Sequence, residues 1–527
     1  MVDYLIKNGL VFNGINAKPI RQNIGISNKR IVFIGDSEVS ANEVIDAENL
    51  YVAPGFIDVH AHSEFTLLLD GRAEGKLSQG ITTEVNGNCG LSAAPLYGKA
   101  LEHRQQELQQ LGITETWQDL HEYLNILQNK GIALNTITLC GHGNLRASVL
   151  GYANIPCEEY MLERMKRLFS ESLNQGACGL STGLIYPPGI FSDAKEIKAL
   201  LGIVSTFKKA NGRKFVYTSH MRSEGDALLE AIEETIEVGR ATGMHVHISH
   251  LKTSGEENWH KIDKAIELIE DARNFGIQVT CDCYPYIASS TDLDSILPDW
   301  VFEGGLKEEI KRLRDPQKSR MIKSALSSKP NKYWQNVYVS SVFKARNKWM
   351  EGESIFDISV RTGKNPVDTM IDIVIEEEAK TGAIFFTMNE DNLRRILRLP
   401  YVMIGSDSSA RNFSGPTCKG KPHPRGFGTF PRFLGFYVRD ENLITLPEAI
   451  RRITSLPAET FGIRERGVLK ENFFADIVIF DYNLIKDRAS YKEPFTKSEG
   501  IKFVFVNGSL AVRDGILTGA LAGKVLF

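Results

Sequence analysis

The stretch KFVYTSHMRSEGDALLEAIEETIEVGRATGMHVHISH, residues 214–250, reads as a strand, an amphipathic helix and a second strand. Its ends, KFVYTSH (214–220) and MHVHISH (244–250), are short apolar runs rich in β-branched and aromatic residues. Between them DALLEAIEETIEVGRATG (226–243) repeats apolar residues at helical rather than strand spacing. Both strands finish on a histidine, His220 and His250.

The same unit recurs on either side. Further candidate strands are FIDVHAH (56–62), ITTEVNG (81–87), NTITLCGH (135–142), ACGLSTG (177–183), IQVTCDCYPY (277–286) and YVMIGSD (401–407), mostly separated by amphipathic segments. Strands alternating with helices in this number predict an α/β fold, a (β/α)8 TIM-type barrel. The flanks differ. YLIKNGLVFNG (4–14) and NIGISNKRIVFIG (23–35) at the front, with ADIVIFD (475–481) and IKFVFVNGSLAVRDG (501–515) at the back, are hairpin-like, which predicts a small β-sandwich built from both termini. The expected boundaries are 1–54 and 466–527 for the two parts of the sandwich and 55–465 for the barrel. Residues 287–395 exceed one barrel connection and carry helices and strands of their own, so an inserted subdomain is expected there.

Composition narrows the function classes. With 42% hydrophobic and 24% charged residues, a net charge of −3 and no basic stripe or polybasic segment, neither a nucleic-acid nor a membrane partner is expected. The start has no basic region followed by an apolar core, and no run approaches the length of a membrane span, so a cytoplasmic protein is the expectation. The 7 cysteines lack framework spacing, and the pair Cys281 and Cys283 is no zinc-ribbon signature, so most are expected as buried thiols.

Barrel enzymes build their sites at the C-terminal ends of the strands, and that is where the metal-type donors fall. His60 and His62 are two apart, which on a strand puts both imidazoles on one face. His220 and His250 end the fifth and sixth strands, Cys89 ends the second, and Asp407 ends the eighth in IGSDSS. A single strand-end histidine is ordinarily a hydrogen-bonded structural residue, and a single cysteine a small buried hydrophobe. Their coincidence at one end of the barrel points instead to zinc or another borderline divalent metal, for which imidazole and thiolate are preferred ligands. His245 and His247 have the opposite strand parity from His250 and are expected to face the helices as structural residues. His142 also ends a strand, but position alone recommends it, and it is not taken as a ligand.

APGFIDVHAHSE (53–64) resembles the opening metal motif of the amidohydrolase superfamily. GITTEVNGNCGLS (80–92), GLSTGLIYPPG (179–189), YTSHMRSEGD (217–226), ISHLKTSG (248–255), DCYPYIASST (282–291), IGSDSS (404–409) and HPRGFGTFPRFLG (423–435) resemble one branch of it, the N-acyl-D-amino-acid deacylases or D-aminoacylases. The likeness continues through ITSLPAETFGIRERGVLKENFFADIVIFD (453–481), so it runs almost end to end. This resemblance implies that a cysteine thiolate stands where many amidohydrolases use a carboxylated lysine, and it maps onto Cys89. It further implies one tight Zn2+ on Cys89, His220 and His250, and a weaker second divalent site on His60, His62 and Asp407 with Cys89 as bridge. The reaction implied is hydrolysis of a linear amide, with Asp407 taking the proton of the attacking water and delivering it to the departing amine. Lys252, Tyr284, Ser290 and Arg425 are implied as holders of the substrate carboxylate. The branch often carries a second histidine after the sixth-strand ligand, where this chain has Leu251; that departure is expected to alter packing beside Lys252 and leave the ligand His250 intact.

Two other readings share part of the pattern: a cyclic-amide hydrolase of the dihydropyrimidinase or dihydroorotase kind, and a noncatalytic scaffold. Cys89, and the lack of a lysine in ACGLSTG at the fourth-strand end, count against the first; the complete ligand set counts against the second. For the substrate side chain, the loop IASSTDLDSILPDW (287–300) has no Lys or Arg, carries Asp292, Asp294 and Asp299, and offers Leu293, Ile296 and Leu297 as pocket walls. It predicts a preference for small-molecule N-acyl-D-amino acids with neutral or hydrophobic side chains.

Overall fold

The computed structural model describes residues 1–15, 18–37, 39–205, 207 and 213–527. In chain order the strands are β1 (Val2–Val11), β2 (Ile20–Ser27), β3 (Arg30–Gly35), β4 (Ala41–Asp46) and β5 (Tyr51–Pro54), then β6 (Phe56–Asp58), β7 (Ile81–Asn86), β8 (Asn135–Thr138), β9 (Cys140–Gly141), β10 (Gly179–Gly183), β11 (Val216–His220), β12 (His245–Ile248) and β13 (Val279–Cys283). There follow β14 (Ser289–Asp292), β15 (Val337–Ser341), β16 (Gly382–Phe385), β17 (Val402–Ile404), β18 (Ile477–Phe480), β19 (Ile501–Val506), β20 (Ser509–Arg513) and β21 (Ile516–Leu517).

The unit at 214–250 folds as its periodicity requires. The helix Leu228–Thr242 buries Leu228, Ala231, Ile232, Thr235, Ile236, Val238 and Gly239 along one stripe and ends at Gly243, whose φ of +64° is the left-handed cap that glycine adopts without strain. Gly239 has no room for a side chain, since a Cβ there would collide with the Val246 side chain of β12. Repetition of this unit makes a mixed α/β fold with a parallel sheet. β6, β7 and β8 pair in parallel, and β9, which continues β8 after Leu139, leads into β10, β11, β12, β13 and β17, each parallel to the last. A parallel bridge between Ala61 and Ser408 brings the pairing back to the first strand. Inside this ring Ile57, Val59, Val85, Ile137, Leu139, Cys178, Val216 and Met403 pack with Phe461.

The ring is stitched by one buried lysine. Lys76, on the short helix Glu74–Leu77, donates to Asp58 Oδ2 at 2.6 Å, to Ser406 Oγ at 2.8 Å and to the Ser408 carbonyl at 3.0 Å, and stands 3.5 Å from Glu84. It thereby joins the first, second and last strands of the ring.

Both termini enter one further sheet. β5 pairs antiparallel with β18, and the nine strands run in the order β21-β20-β19-β18-β5-β1-β2-β3, with β4 added to β1. The expected sandwich is thus one continuous hydrogen-bonded sheet rather than two separately paired ones. The reason is β1, which shifts register between Ile6 and Gly9 and splits one edge between β4 and β5. Ile6, Ile24, Ile45, Val52, Ile477 and Phe505 fill the core that the sheet encloses. Between β13 and β17, β14, β16 and β15 form an antiparallel sheet with helices on its own apolar cluster, which includes Trp334, Ile355 and Met370. Among the described residues no helix is long and apolar enough to cross a membrane.

Replacing Lys76 by methionine leaves Asp58 and Glu84 as buried carboxylates without a counter-charge, at a cost of about 3–5 kcal/mol. The midpoint of urea denaturation should fall accordingly; an unchanged midpoint would mean that this lysine does not hold the ring.

Candidate metal centre and substrate cavity

Most of the expected ligands stand just beyond their strands. β6 ends at Asp58, β7 at Asn86, β12 at Ile248 and β17 at Ile404, so His60, His62, Cys89, His250 and Asp407 lie on the first residues of the loops; His220 alone is the last residue of its strand. Cys89, His250 and Asp407 all take positive φ, +54°, +35° and +48°. Non-glycine residues persist there only when their surroundings over-determine them. The restraints are visible: Asp407 N–H donates to the His60 carbonyl at 2.8 Å, and His250 N–H donates to Asp282 Oδ1 at 3.0 Å.

These turns bring the donors together. Cys89 Sγ lies 3.2 Å from His60 Nε2 and 3.6 Å from His250 Nε2. Asp407 Oδ1 lies 3.1 Å from His62 Nε2 and 3.6 Å from His60 Nε2. The His220 and His250 rings meet edge to face with centroids 4.4 Å apart. Three groups of three donors fall within 4.8 Å: His60, Cys89 and His250; His60, His62 and Asp407; His220, Glu224 and His250. Among the described residues no such group contains both Cys89 and His220, which are linked through His250. Among the described residues, neither ring nitrogen of His220, both of them buried, has a hydrogen-bond partner. An orphaned imidazole amid thiol, imidazole and carboxylate donors fits a divalent metal of the zinc type.

Electrostatics agrees with that donor set. Burial pushes the Cys89 thiol up, but the imidazoles of His60, His220 and His250 outweigh it and hold the group well below the usual thiol range. Burial likewise opposes ionisation of Asp407, yet Arg425, His60 and His62 keep its carboxyl well below the usual carboxylate range.

Two carboxylates that the sequence reading did not single out organise the site. Asp282, fully buried on β13, stands 3.2 Å from His60 Nδ1 and 2.8 Å from His247 Nε2, besides accepting from His250 N–H. Glu224 lies 2.7 Å from His250 Nδ1 and 2.5 Å from Lys252 Nζ. The signals were present, Asp282 inside DCYPY and Glu224 four residues after His220, but nothing local marks either as a partner of the ligands. His247 corrects the parity argument: its ring packs on Phe461 inside the ring of strands, not toward the helices. The strand ends at Ile248 and His250 turns left-handed, so parity no longer relates the two. His142 is held by Glu196, 2.7 Å from its Nε2. Leu251 is buried in the main apolar cluster, as its replacement of a polar residue suggested.

The donors open into a cavity of about 710 Å3 that is also lined by Tyr186, Lys252, Tyr284, Ser290 and Arg425. All four expected carboxylate holders therefore line it, but the polar groups of three of them, Lys252, Ser290 and Arg425, are already engaged. Lys252 is buried between Glu224 and His250 Nδ1, 2.8 Å from the latter. Arg425 Nη1 lies 2.9 Å from Asp407 Oδ2, its Nη2 donates to the Ser290 carbonyl at 3.2 Å, and its guanidinium sits 4.6 Å above the Tyr284 ring. Ser290 Oγ donates to the Ala383 carbonyl at 2.9 Å. The expected apolar walls are not there: Leu293, Ile296 and Leu297 turn into the core of the insertion, because it is the nearest apolar cluster they can bury in.

A profile described as "Amidohydrolase family" matches residues 43–512. A D-aminoacylase of Alcaligenes xylosoxydans xylosoxydans is 33% identical over 525 residues, covering 99% of this chain and 97% of its own, and an N-acyl-D-glutamate deacylase of the same organism is 33% identical over 508 residues, covering 96% and 93%. The crystal structure of an N-acyl-D-glutamate deacylase from Bordetella bronchiseptica, complexed with zinc and a phosphonate mimic of the tetrahedral intermediate, superposes with a TM-score of 0.82 at 32% identity, covering 100% of this chain and 99% of that one.

Asp282→Asn should leave the fold intact yet lower divalent-metal affinity about 10–100-fold, because an amide cannot accept from His60, His247 and the His250 backbone alike. Zinc retention against a graded chelator, with circular dichroism as the control, measures it; unchanged retention would show that the histidines are oriented without Asp282.

Proposed function

The chain belongs to the amidohydrolase family, and from that premise we propose that it hydrolyses the amide bond of N-acyl-D-amino acids, giving a carboxylate and a free D-amino acid. The observation that carries this reading is the convergence of the Cys89 thiol, the imidazoles of His60, His62, His220 and His250, and the Asp407 carboxylate at one end of the strand ring, in a chain 33% identical over almost its whole length to a D-aminoacylase. We read the ring as a (β/α)8 barrel, the nine-stranded sheet as the sandwich-like domain of residues 1–54 and 466–527, and 287–395 as an insertion into the barrel.

Cys89, His220 and His250 would hold the tighter Zn2+, and His60, His62 and Asp407 a weaker second divalent ion. A metal at this position supplies a Lewis acid that polarises the substrate carbonyl and lowers the pKa of a nearby water toward about 7. The chain's own groups do the rest. Asp407 is ionised and has Oδ1 turned to the ligand side, so it can take the proton of the attacking water and return it to the leaving amine. Arg425 faces the cavity while paired with Asp407, so a substrate carboxylate entering beside it shares its charge and loosens its hold on the base. Tyr284 lines the same space, and among the described residues its hydroxyl has only the weak acceptor Met388 Sδ, 3.9 Å away, as hydrogen-bond partner. Lys252, paired with Glu224 and 2.8 Å from His250 Nδ1, holds that imidazole in place at the cavity wall.

The decisive assay is release of free amine from N-acetyl-D-methionine, its L enantiomer and a hydantoin by the zinc-loaded protein. Turnover of the D compound alone supports the proposal; hydantoin opening in its place favours the cyclic-amide reading, and no turnover of any the scaffold. Asp407→Asn should keep the fold and the tighter metal yet lower kcat by about 10²–10⁴, the range of general acid–base catalysis. Tyr284→Phe should raise KM for the D substrate about 2–10-fold at nearly constant kcat, the worth of one hydrogen bond to a bound carboxylate; an unchanged KM would remove this tyrosine from the substrate site.

A further inference from the structure

The far wall of the substrate cavity is acidic. Asp292 and Asp294, on and just after β14, line it together with Glu309 from the helix Leu306–Arg314. None of the three makes an ion pair among the described residues, whereas two cations on the same cavity each face a carboxylate: Arg104 pairs with Glu107, and Lys380 stands 3.3 Å from Glu378. Glu309 is only 3% exposed, and its buried Oε1 has no hydrogen-bond partner. A buried carboxylate oxygen left unpaired is costly unless a ligand completes it. Desolvation at the cavity wall, with repulsion from Asp294, pushes the Asp292 carboxyl up to about 7; burial, with repulsion from Glu309 and a hydrogen bond shared with it, pushes Asp294 up to about 8. These are acids held back from ionising for want of a counter-charge.

The trio is not among the groups of three metal-type donors that fall within 4.8 Å of one another. The missing counter-charge is therefore better supplied by an extended organic cation than by a metal ion. Position along β14 says where on the substrate that cation sits. Ser290, with the Arg425 guanidinium on its carbonyl, marks the proposed α-carboxylate end. Asp292 is two residues further on the same strand, so its side chain shares the face of Ser290 about 7 Å away. A four-carbon stem carrying an ammonium has about that reach.

We propose that the wall formed by Asp292, Asp294 and Glu309 selects N-acyl-D-amino acids whose side chain ends in a cation, such as the ammonium of D-lysine or the guanidinium of D-arginine. The inference rests on the deacylase reading above and replaces the expected hydrophobic preference, whose apolar walls Leu293, Ile296 and Leu297 lie in the insertion core.

The test compares kcat/KM of the zinc-loaded protein for Nα-acetyl-D-lysine, for N-acetyl-D-norleucine, which keeps the stem and lacks the charge, and for N-acetyl-D-glutamate. The lysine derivative should lead norleucine by about tenfold or more, the worth of a charge-assisted contact, and glutamate should come last. Asp294→Asn and Glu309→Gln should each reduce the lysine-to-norleucine ratio about tenfold, and in the ratio a general loss of folded enzyme cancels. Equal turnover of lysine and norleucine derivatives, or glutamate ahead of both, overturns this inference and leaves the deacylase reading standing. No turnover of any of the three overturns both.

Discussion

An ionised group sealed from water has to find its counter-charge within the protein, and that constraint organises the whole mouth of the strand ring. Lys76 answers Asp58 and Glu84, Lys252 answers Glu224, Arg425 answers Asp407, and the imidazoles answer the Cys89 thiol and Asp282. Each pair is also a cross-link between elements distant in the chain. Lys76 fastens the first strand to the last, Asp282 fastens the seventh to the loops after the first and sixth, and Arg425 fastens the loop after the eighth to the inserted β14. The site and the closure of the ring are one network, so the ligands cannot be loosened without loosening the strands that carry them.

That network explains a backbone that would otherwise be unfavourable. Left-handed conformations at Cys89, His250 and Asp407 cost on the order of 1–3 kcal/mol each and need compensation from their neighbours. Asp282 and the His60 carbonyl supply it for His250 and Asp407 by accepting their backbone N–H groups. A strand delivers side chains to alternate faces, whereas a sharp turn at its end aims a single donor inward from any register. The ligands therefore sit where the regular structure stops.

The insertion divides the labour. Ring residues supply the groups for chemistry, and β14, with the helix Leu306–Arg314, supplies the opposite wall, whose carboxylates face the cavity while its leucines and isoleucine turn away into the insertion core. A wall carried on a separate apolar core can change its polarity without disturbing the ligands, because the two share few supporting contacts.

Periodicity was enough to read the ring strands, the helix at 228–242 and the strands of both termini that meet in one sheet, because burial on one face leaves a regular trace in sequence. The convergence of Cys89, His60, His62, His220, His250 and Asp407 was legible for a related reason: each falls at or just beyond the end of a successive strand of one parallel ring. What the chain alone left undecided was every relation made through space. His60 meets Asp282 across 222 residues and Lys76 meets Ser406 across 330, while Lys252 and Arg425, expected as holders of a substrate carboxylate, each already face a carboxylate of the chain. Parity misplaced His247, and the loop leucines misread as pocket wall found an apolar core instead. Local spacing records which face of an element is buried, but the partner of a buried charge is chosen by electrostatics over a few ångströms of three-dimensional distance, a length that sequence separation does not encode.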